Sequence, residues 1–309
     1  MQGKHIAFSE RAWVAACAVV LVFLLASSAG AQPAASPAAN THAAALLEKH
    51  AGLAGQLAQN AYRRPLFLES SEGSNQVSGN AYAVLDSPFS TVSATFKSPR
   101  QWCDVLILHL NTKYCRVGLD DSASSTLSVK IGKKSAQELK DAFSLDFAFR
   151  LIAATPEHLS VQLSSENGPM STRNYRIELE VVPLANGKSF MHLRYSYEYG
   201  VAGRLAMQGY LATIGSGKVG FTRSGDGAKS AYVGGIRGTV ERNTMRYYLA
   251  IEAYLASLGQ LSGQQFNTRI EHWFDATEEY QLQLHEVDRG SYLAMKKSEY
   301  QRQQTVAPR

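Results

Sequence analysis

The chain has 309 residues, of which 45% are hydrophobic, and its 31 lysines and arginines against 26 aspartates and glutamates give a formal net charge of +5. This length and apolar content suffice for one large domain with a packed core and additional segments. Because the basic residues are interspersed rather than clustered, the composition excludes a nucleic-acid-binding stripe. It supports at most a weak attraction to an anionic membrane surface.

The N-terminal residues 1–31 have the pattern of a secretory signal peptide. Lys4 and Arg11 give a basic start, residues 14–26 are apolar and uncharged, and the small residues Ala-Gly-Ala follow. The apolar run is shorter than the ~20 residues that span a bilayer, which favours cleavage near Ala31/Gln32. We therefore expect a periplasmic or secreted protein, with a retained membrane anchor as the alternative.

Residues 32–77 are predicted to precede the main domain. Residues 32–41 are rich in Ala, Pro, Ser and Asn and have no periodicity, which predicts a disordered linker. The region 42–77 is predicted to hold a helix followed by an extended segment. Apolar residues at helical spacing indicate that this helix runs from Thr41 to about Asn60.

Two short helices are predicted next, each opened by a proline. Pro88 suits the first position of an amphipathic helix that ends near Lys97. Pro99 stops this helix and starts a second one, which carries Trp102. The pattern predicts a compact pair of helices directly after a strand that the alternation of residues 81–85 indicates.

A period of two in the apolar residues predicts strands after these helices. Five strands are predicted at residues 127–131, 147–151, 159–163, 175–181 and 193–199. The tight-turn sequence Asn-Gly between the last two indicates antiparallel hairpins. A further strand is predicted at residues 210–214, and the glycine-rich, basic connection over residues 215–238 is predicted to form one more hairpin.

Helices are predicted for the rest of the chain. A long amphipathic helix begins at Ile236 and ends at Gly259. Residues 260–303 are predicted to be a helical extension with stretches at 265–285 and 291–303. Residues 304–309 are expected to be a frayed tail.

Cys103 and Cys115 are the two cysteines that remain after the predicted processing. In an oxidising compartment a lone pair of cysteines usually forms a bridge, so we predict a disulfide. The alternative is a nucleophilic or redox cysteine with His109 as its base. That alternative is disfavoured because the spacing is not Cys-x-x-Cys and no third, orienting group is evident.

The segment 86–106 carries a helix-opening proline, apolar residues three to four apart, and a proline and a tryptophan after the first helix. The positions concerned are Pro88, Phe89, Val92, Phe96, Pro99 and Trp102. In these features, and in the order of elements over residues 78–259, the chain resembles the START and Bet v 1-like (SRPBCC, helix-grip) superfamily. The resemblance implies an α+β fold in which a curved antiparallel sheet grips a long C-terminal helix, with extra helices at both ends of this chain. It also implies a cavity for lipids, sterols, isoprenoids or aromatic polyketides.

Candidate ligand-binding residues follow from this resemblance, which implies that the sheet and the long helix line the cavity. They are Phe149, Tyr195, Tyr197, Tyr247, Ile251 and Tyr254. Tyrosine combines apolar bulk with a hydroxyl that needs a partner when buried, which suits a lipid cavity. The alternative is that these side chains only complete the core or face outward.

His109 is the one weak candidate for catalysis, as an acid or base near a pocket mouth. A hydrogen-bonded structural histidine is the alternative. No metal site is expected, because the sequence has no His-Glu-x-x-His or comparable spacing. No cofactor is expected either. Residues 215–220 fit the dinucleotide-binding pattern G-x-G-x-x-G, but the helix that such a site requires does not follow within reach.

The sequence favours an exported binding or carrier protein for a hydrophobic small molecule, such as a lipid, a sterol-like compound or an isoprenoid. Two alternatives stay open: an enzyme that acts on such a ligand through His109, and an envelope protein-interaction factor whose cavity is filled by its own side chains. A transient contact with an anionic membrane is predicted through four basic residues of the connection 215–238, Lys218, Arg223, Lys229 and Arg237. No nucleic-acid partner is expected, and the sequence identifies no protein partner.

Overall fold

An eight-stranded, curved antiparallel sheet that grips one long helix forms the centre of the protein. The structure is a computed structural model that describes residues 37–118, 125–213, 217–225 and 230–305. The strands are β1 (Leu66–Glu72), β2 (Gln76–Leu85), β3 (Thr112–Val117), β4 (Thr126–Ile131), β5 (Phe143–Ala154), β6 (Leu159–Asn167), β7 (Thr172–Pro183) and β8 (Ser189–Tyr199). Their order across the sheet is β1-β2-β8-β7-β6-β5-β4-β3. The predicted α+β class and the five predicted strands are confirmed.

The helices are distributed before, within and after the sheet. They are α1 (Pro37–Gly52), α2 (Ala54–Ala58), α3 (Phe89–Phe96), α4 (Pro99–Leu106), α5 (Val201–Ala212), α6 (Gly235–Ser257), α7 (Ser262–Glu278), α8 (Gln281–Leu284) and α9 (Arg289–Thr305). A short hairpin of β9 (Arg223–Ser224) and β10 (Ala231–Tyr232) comes before α6, as predicted. Within the described ranges, no helix is long and apolar enough to cross a membrane.

The two short helices after β2 are fixed by a tryptophan and by the disulfide. Trp102 is buried, and its Nε1 donates a hydrogen bond to the carbonyl of Phe96 at 3.0 Å, which holds α4 against the end of α3. Cys103 of α4 is bonded to Cys115 of β3, as predicted. Closing a loop of this size stabilises the fold by about 3 kcal/mol in the chain-entropy model.

The long helix α6 comes close to β2 because residue 79 is a glycine. A methyl group at this position would overlap the side chain of Thr244, whose hydroxyl donates to the carbonyl of Val240 at 2.8 Å. Glycine weakens the interior of a strand, but it permits a close backbone approach. The helix therefore lies directly on the sheet, and Leu249 and Ile251 in its C-terminal half are fully buried.

The N-terminal helix α1 packs on the face of the sheet opposite to α6. A second buried cluster lies between the N-terminal helices and the sheet and includes Leu46, Leu53, Tyr82, Val182 and Phe190. On the same face, the carboxylate of Glu180 lies 3.4 Å from His158 Nε2, 3.6 Å from His192 Nδ1 and 3.9 Å from His42 Nδ1. Its polar contacts with His158 and His192 lower the pKa of Glu180 to about 2. Among the side chains that the structure describes, no three His, Cys, Asp or Glu residues are arranged to hold a metal ion.

The C-terminal extension docks on α6 and on the edge strand β3. Trp273 of α7 is buried, and its Nε1 donates to the carbonyl of Arg246 at 3.0 Å. In the contact between α9 and β3, the carboxylate of Glu299 accepts from Lys113 Nζ at 3.0 Å and from Lys296 Nζ at 2.7 Å. The exposed fraction of these three side chains is at most 1%, so three charges are buried together.

Four sequence predictions are corrected by the structure. Residues 210–212 belong to α5 instead of the predicted strand 210–214, because this segment is rich in the helix formers Ala, Leu and Met and because Met207 packs into the core. The predicted linker 32–41 overlaps α1, which begins at Pro37, and Leu53 separates the predicted N-terminal helix into α1 and α2. The predicted tail 304–309 begins inside α9. The predicted signal peptide lies outside the described residues.

Candidate ligand-binding cavity

A cavity of about 770 Å³ lies between the sheet and the N-terminal half of α6. It is lined by β5, β7, β8, α5 and α6, together with the loop after β4 and the loop between α8 and α9. This volume falls within the range of about 300–1,000 Å³ that is typical of small-molecule sites. Phe143 and Met170 belong to its wall and are 41% and 43% exposed, so the cavity opens to solvent on their side.

Four tyrosines form one wall of the cavity. Tyr175, Tyr195 and Tyr197 come from β7 and β8, and Tyr247 comes from α6. The ring centroid of Tyr195 lies 6.0 Å from that of Tyr175, 5.8 Å from that of Tyr197 and 5.4 Å from that of Tyr247. Burial raises the pKa of Tyr195, Tyr197 and Tyr247 above the ordinary tyrosine value. Their hydroxyls therefore stay protonated near neutral pH and can donate hydrogen bonds to a ligand.

One side of the cavity is charged. Oε1 of Glu286 accepts from Lys134 Nζ at 2.6 Å and from Arg246 Nη2 at 2.9 Å, and Lys218 Nζ lies 3.9 Å from Oε2. Burial alone would raise the pKa of Glu286, but Arg246 and Lys134 hold that pKa below its ordinary value. Three cations therefore surround one ionised carboxylate beside the cavity.

His109 lies at the cavity wall in its neutral form. It is 3% exposed, its Nδ1 accepts from the backbone N–H of Asn111 at 3.2 Å, and its Nε2 lies 3.4 Å from Oδ1 of Asn243. Burial, and then the positive charges of Arg246 and Lys296, lower the pKa of His109 well below its ordinary value. Because both ring nitrogens contact the protein and the ring resists protonation, this arrangement does not favour the predicted acid or base role.

Three of the six predicted ligand-binding residues lie at the cavity wall: Tyr195, Tyr197 and Tyr247. The other three are buried in the core away from it. Phe149 is 1% exposed and lies beyond Phe147, the last cavity residue of β5. A ligand-binding role for the three tyrosines remains a prediction.

Ile251 and Tyr254 lie in the C-terminal half of α6. Side chains of the protein itself fill the space around this half of the helix. At a rise of 1.5 Å per residue, Tyr254 is about 10 Å along the helix from Tyr247. Its ring centroid is 5.8 Å from that of Phe96 and 3.9 Å from the guanidinium carbon of Arg269. Contacts from α3 and α7 therefore occupy the space where the sequence predicted ligand.

The sequence analysis missed the charged side of the cavity and the wall that α5 provides. Lys134 and Glu286 lie in loops, where charged residues usually face solvent, so their sequence carries no signal for a site. Met207 lies in a segment that was predicted to lead into a strand. Arg246 lies on a helix that also carries Arg237, Glu241, Arg242 and Glu252, so its charge was not distinctive in the sequence.

The basic connection over residues 215–238, which ends in the first turn of α6, is held by contacts within the protein. Arg237 Nε donates to Ser70 Oγ at 2.7 Å, and Lys218 Nζ donates to the carbonyl of His285 at 2.5 Å. Arg223 donates through Nη2 to the carbonyl of Ser230 at 2.8 Å. Lys229 lies outside the described residues. A membrane contact through this connection remains a prediction.

Comparison of the sequence with family models gives no match, and comparison with curated proteins gives no match either. Among solved structures, norcoclaurine synthase from Thalictrum flavum is 10% identical with a TM-score of 0.33, and the match covers 48% of this chain and 82% of that one. Human StAR-related lipid transfer protein 5 is 10% identical with a TM-score of 0.29, covering 52% and 82%. Ara h 8.0201 is 8% identical with a TM-score of 0.34, covering 62% and 99%. At these identities and TM-scores, the matches carry no information on ligand or activity.

The order of elements and the sheet described above define the fold class. One strand, two short helices, an antiparallel run of strands and a long helix follow one another from β2 to α6, and the sheet is extended by one additional edge strand, β1. The chain has a helix-grip α+β fold, as its resemblance to the START and Bet v 1-like superfamily implied. This chain adds α1 and α2 before that fold and α7 to α9 after it.

Proposed function

We propose that this chain is an exported binding or carrier protein for a hydrophobic small molecule held between the sheet and α6. The observation that carries the proposal is the cavity of about 770 Å³ under the N-terminal half of α6. Apolar side chains such as Leu145, Phe147 and Met207 line it, and such concave, mainly apolar sites are typical of small-molecule binding. Export rests on the signal-peptide pattern of residues 1–31. The basic residues of the connection 215–238 would contact an anionic membrane surface during ligand exchange.

The two alternatives are less well supported. An interaction factor with a filled cavity would need its own side chains in the space beside Tyr247, where the cavity lies. An enzyme that uses His109 would need a histidine able to gain and lose a proton near neutral pH, whereas burial lowers the pKa of His109 well below its ordinary value.

The first test is periplasmic expression of the full chain, followed by native mass spectrometry and solvent extraction of the purified protein. A matched pair of variants separates the cavity from the surface. Leu211→Trp fills the cavity from α5, whereas Leu205→Trp places the same ring on the outer side of that helix, where residue 205 is 63% exposed. We expect a defined bound molecule in the wild type and in Leu205→Trp, and its loss in Leu211→Trp.

Two results would argue against the proposal. A bound molecule retained equally by both tryptophan variants would place the ligand outside the cavity. A clean mass without ligand, together with no uptake of added lipid, would favour the interaction factor. In the same experiment, an intact mass that begins at Gln32 supports export and cleavage, whereas retention of residues 1–31 would support a membrane anchor.

A further inference from the structure

The charge on the cavity wall is unbalanced. Lys133, Lys134, Arg242 and Arg246 line the cavity, whereas the carboxylates in its lining are those of Asp141 and Glu286. Asp141 and Lys133 are exposed, so solvent screens both of these charges, while Glu286 is largely buried and is shared by Lys134 and Arg246. The inner part of the charged side therefore has more positive than negative charge.

The pKa values of two neighbouring groups are lowered by burial and by the nearby positive charge. Burial lowers the pKa of Lys134, and Arg246 lowers it further against the opposing effect of Glu286. Burial and Arg246 also lower the pKa of His109. Electrostatic attraction is stronger in such a partly buried setting than in bulk water. The excess positive charge of the lining therefore favours an added anion at this side of the cavity.

The apolar wall is continuous with the charged side. Leu145 and Phe147 on β5 and Met207 on α5 are buried, and they line the same cavity as Lys134 and Arg246. The cavity thus combines a polar side for a head group with an apolar wall for a chain or ring. Lys134 is within reach of both Glu286 and the cavity, because its flexible four-carbon stem carries three donors.

We propose that the ligand is an amphiphile with an anionic head group, which binds beside Lys134 and Arg246 while its apolar part lies along Leu145, Phe147 and Met207. This inference rests on the proposed function, because it names the chemistry of the molecule that the cavity would hold. It excludes neutral hydrocarbons and simple esters as preferred ligands. It also assigns Glu286 a definite role, since this carboxylate competes with the head group for the same two cations.

The test compares the fluorescent fatty acid cis-parinaric acid with its methyl ester, which has the same chain and no charge. In the wild type, the acid should bind at least about tenfold more tightly than the ester, because a charge-assisted hydrogen bond contributes roughly this much. Lys134→Met should remove most of the preference for the acid and leave the affinity for the ester unchanged. Lys140→Met, in the same connection but exposed and away from the cavity, should behave like the wild type.

Glu286→Gln provides a test in the opposite direction. Removing the competing carboxylate should strengthen binding of the acid relative to the ester, an effect that a poorly folded variant cannot produce. Equal affinity for acid and ester in the wild type would overturn the anionic head group and leave the cavity as a site for neutral compounds. Failure of both probes to bind, or binding that Leu211→Trp does not reduce, would count against the proposed function itself.

Discussion

Replacing Glu299 with glutamine should lower the free energy of unfolding by about 3–5 kcal/mol, because it leaves two buried ammonium groups without their counter-charge. In the wild type, the two carboxylate oxygens of Glu299 accept from Lys113 and Lys296, and the lysine side chains are 0% exposed. Glutamine has nearly the same shape, so packing between α9 and β3 is retained and the effect isolates the charge. Urea unfolding followed by tryptophan fluorescence measures it, since Trp102 and Trp273 are buried.

Two controls make this prediction specific. Glu271→Gln removes an equal charge from the exposed surface of α7 and should change the stability by less than about 0.5 kcal/mol. Lys113→Met in the Glu299→Gln background restores the net charge of the buried cluster, so the double variant should be more stable than Glu299→Gln alone. A loss below about 1 kcal/mol for Glu299→Gln, or a double variant that is still less stable, would refute the view that the buried charges hold α9 in place.

Three further predictions concern titration and the disulfide. Burial lowers the pKa of Lys296 to about 8, so the stability of the wild type relative to Lys296→Met should rise between about pH 8 and pH 10.5, where the unfolded chain binds the extra proton. The pKa of Glu180 is lowered to about 2. The free energy of unfolding of the wild type relative to Glu180→Gln should therefore be highest above about pH 4.5 and should fall by at most ~3 kcal/mol as the pH approaches 2. Urea unfolding at a series of pH values measures both, and a difference that does not vary with pH would contradict them. Replacing Cys103 and Cys115 with serine should cost about 3 kcal/mol, and wild type in strong reductant should match that variant.

The sheet could be predicted because its strands carry two independent local signals. Residues 127–199 alternate apolar and polar side chains, and sequences such as Asn186-Gly187 fix the turns between strands. Gly187 has a φ of +77°, which is the left-handed conformation that this turn requires. The segment that became α5 has only a short apolar run, and such runs do not distinguish a strand from a buried helix.

The position of the cavity along α6 could not be predicted, because amphipathic spacing identifies the buried face of a helix and not the part of it that is crowded. Tyr247 and Tyr254 lie on the same face by this criterion. What separates them is tertiary: α4 and α7 pack on α6 and Phe96 of α3 contacts Tyr254, whereas Tyr247 borders the cavity. The charged side of the cavity depends in the same way on two loops that are distant in sequence.

The helix α9 also covers the edge strand β3. Strand β3 ends the sheet, and a terminal strand offers unpaired backbone groups to any neighbouring chain. Here, Oε1 of Gln303 accepts from the backbone N–H of Cys115 at 3.1 Å, and Lys296 Nζ donates to the carbonyl of Thr112 at 2.9 Å. Side chains of a helix thus take the place of a ninth strand. A chain cut before α9 would expose a ready template for pairing with a second copy, so its expected failure is self-association in preference to simple unfolding.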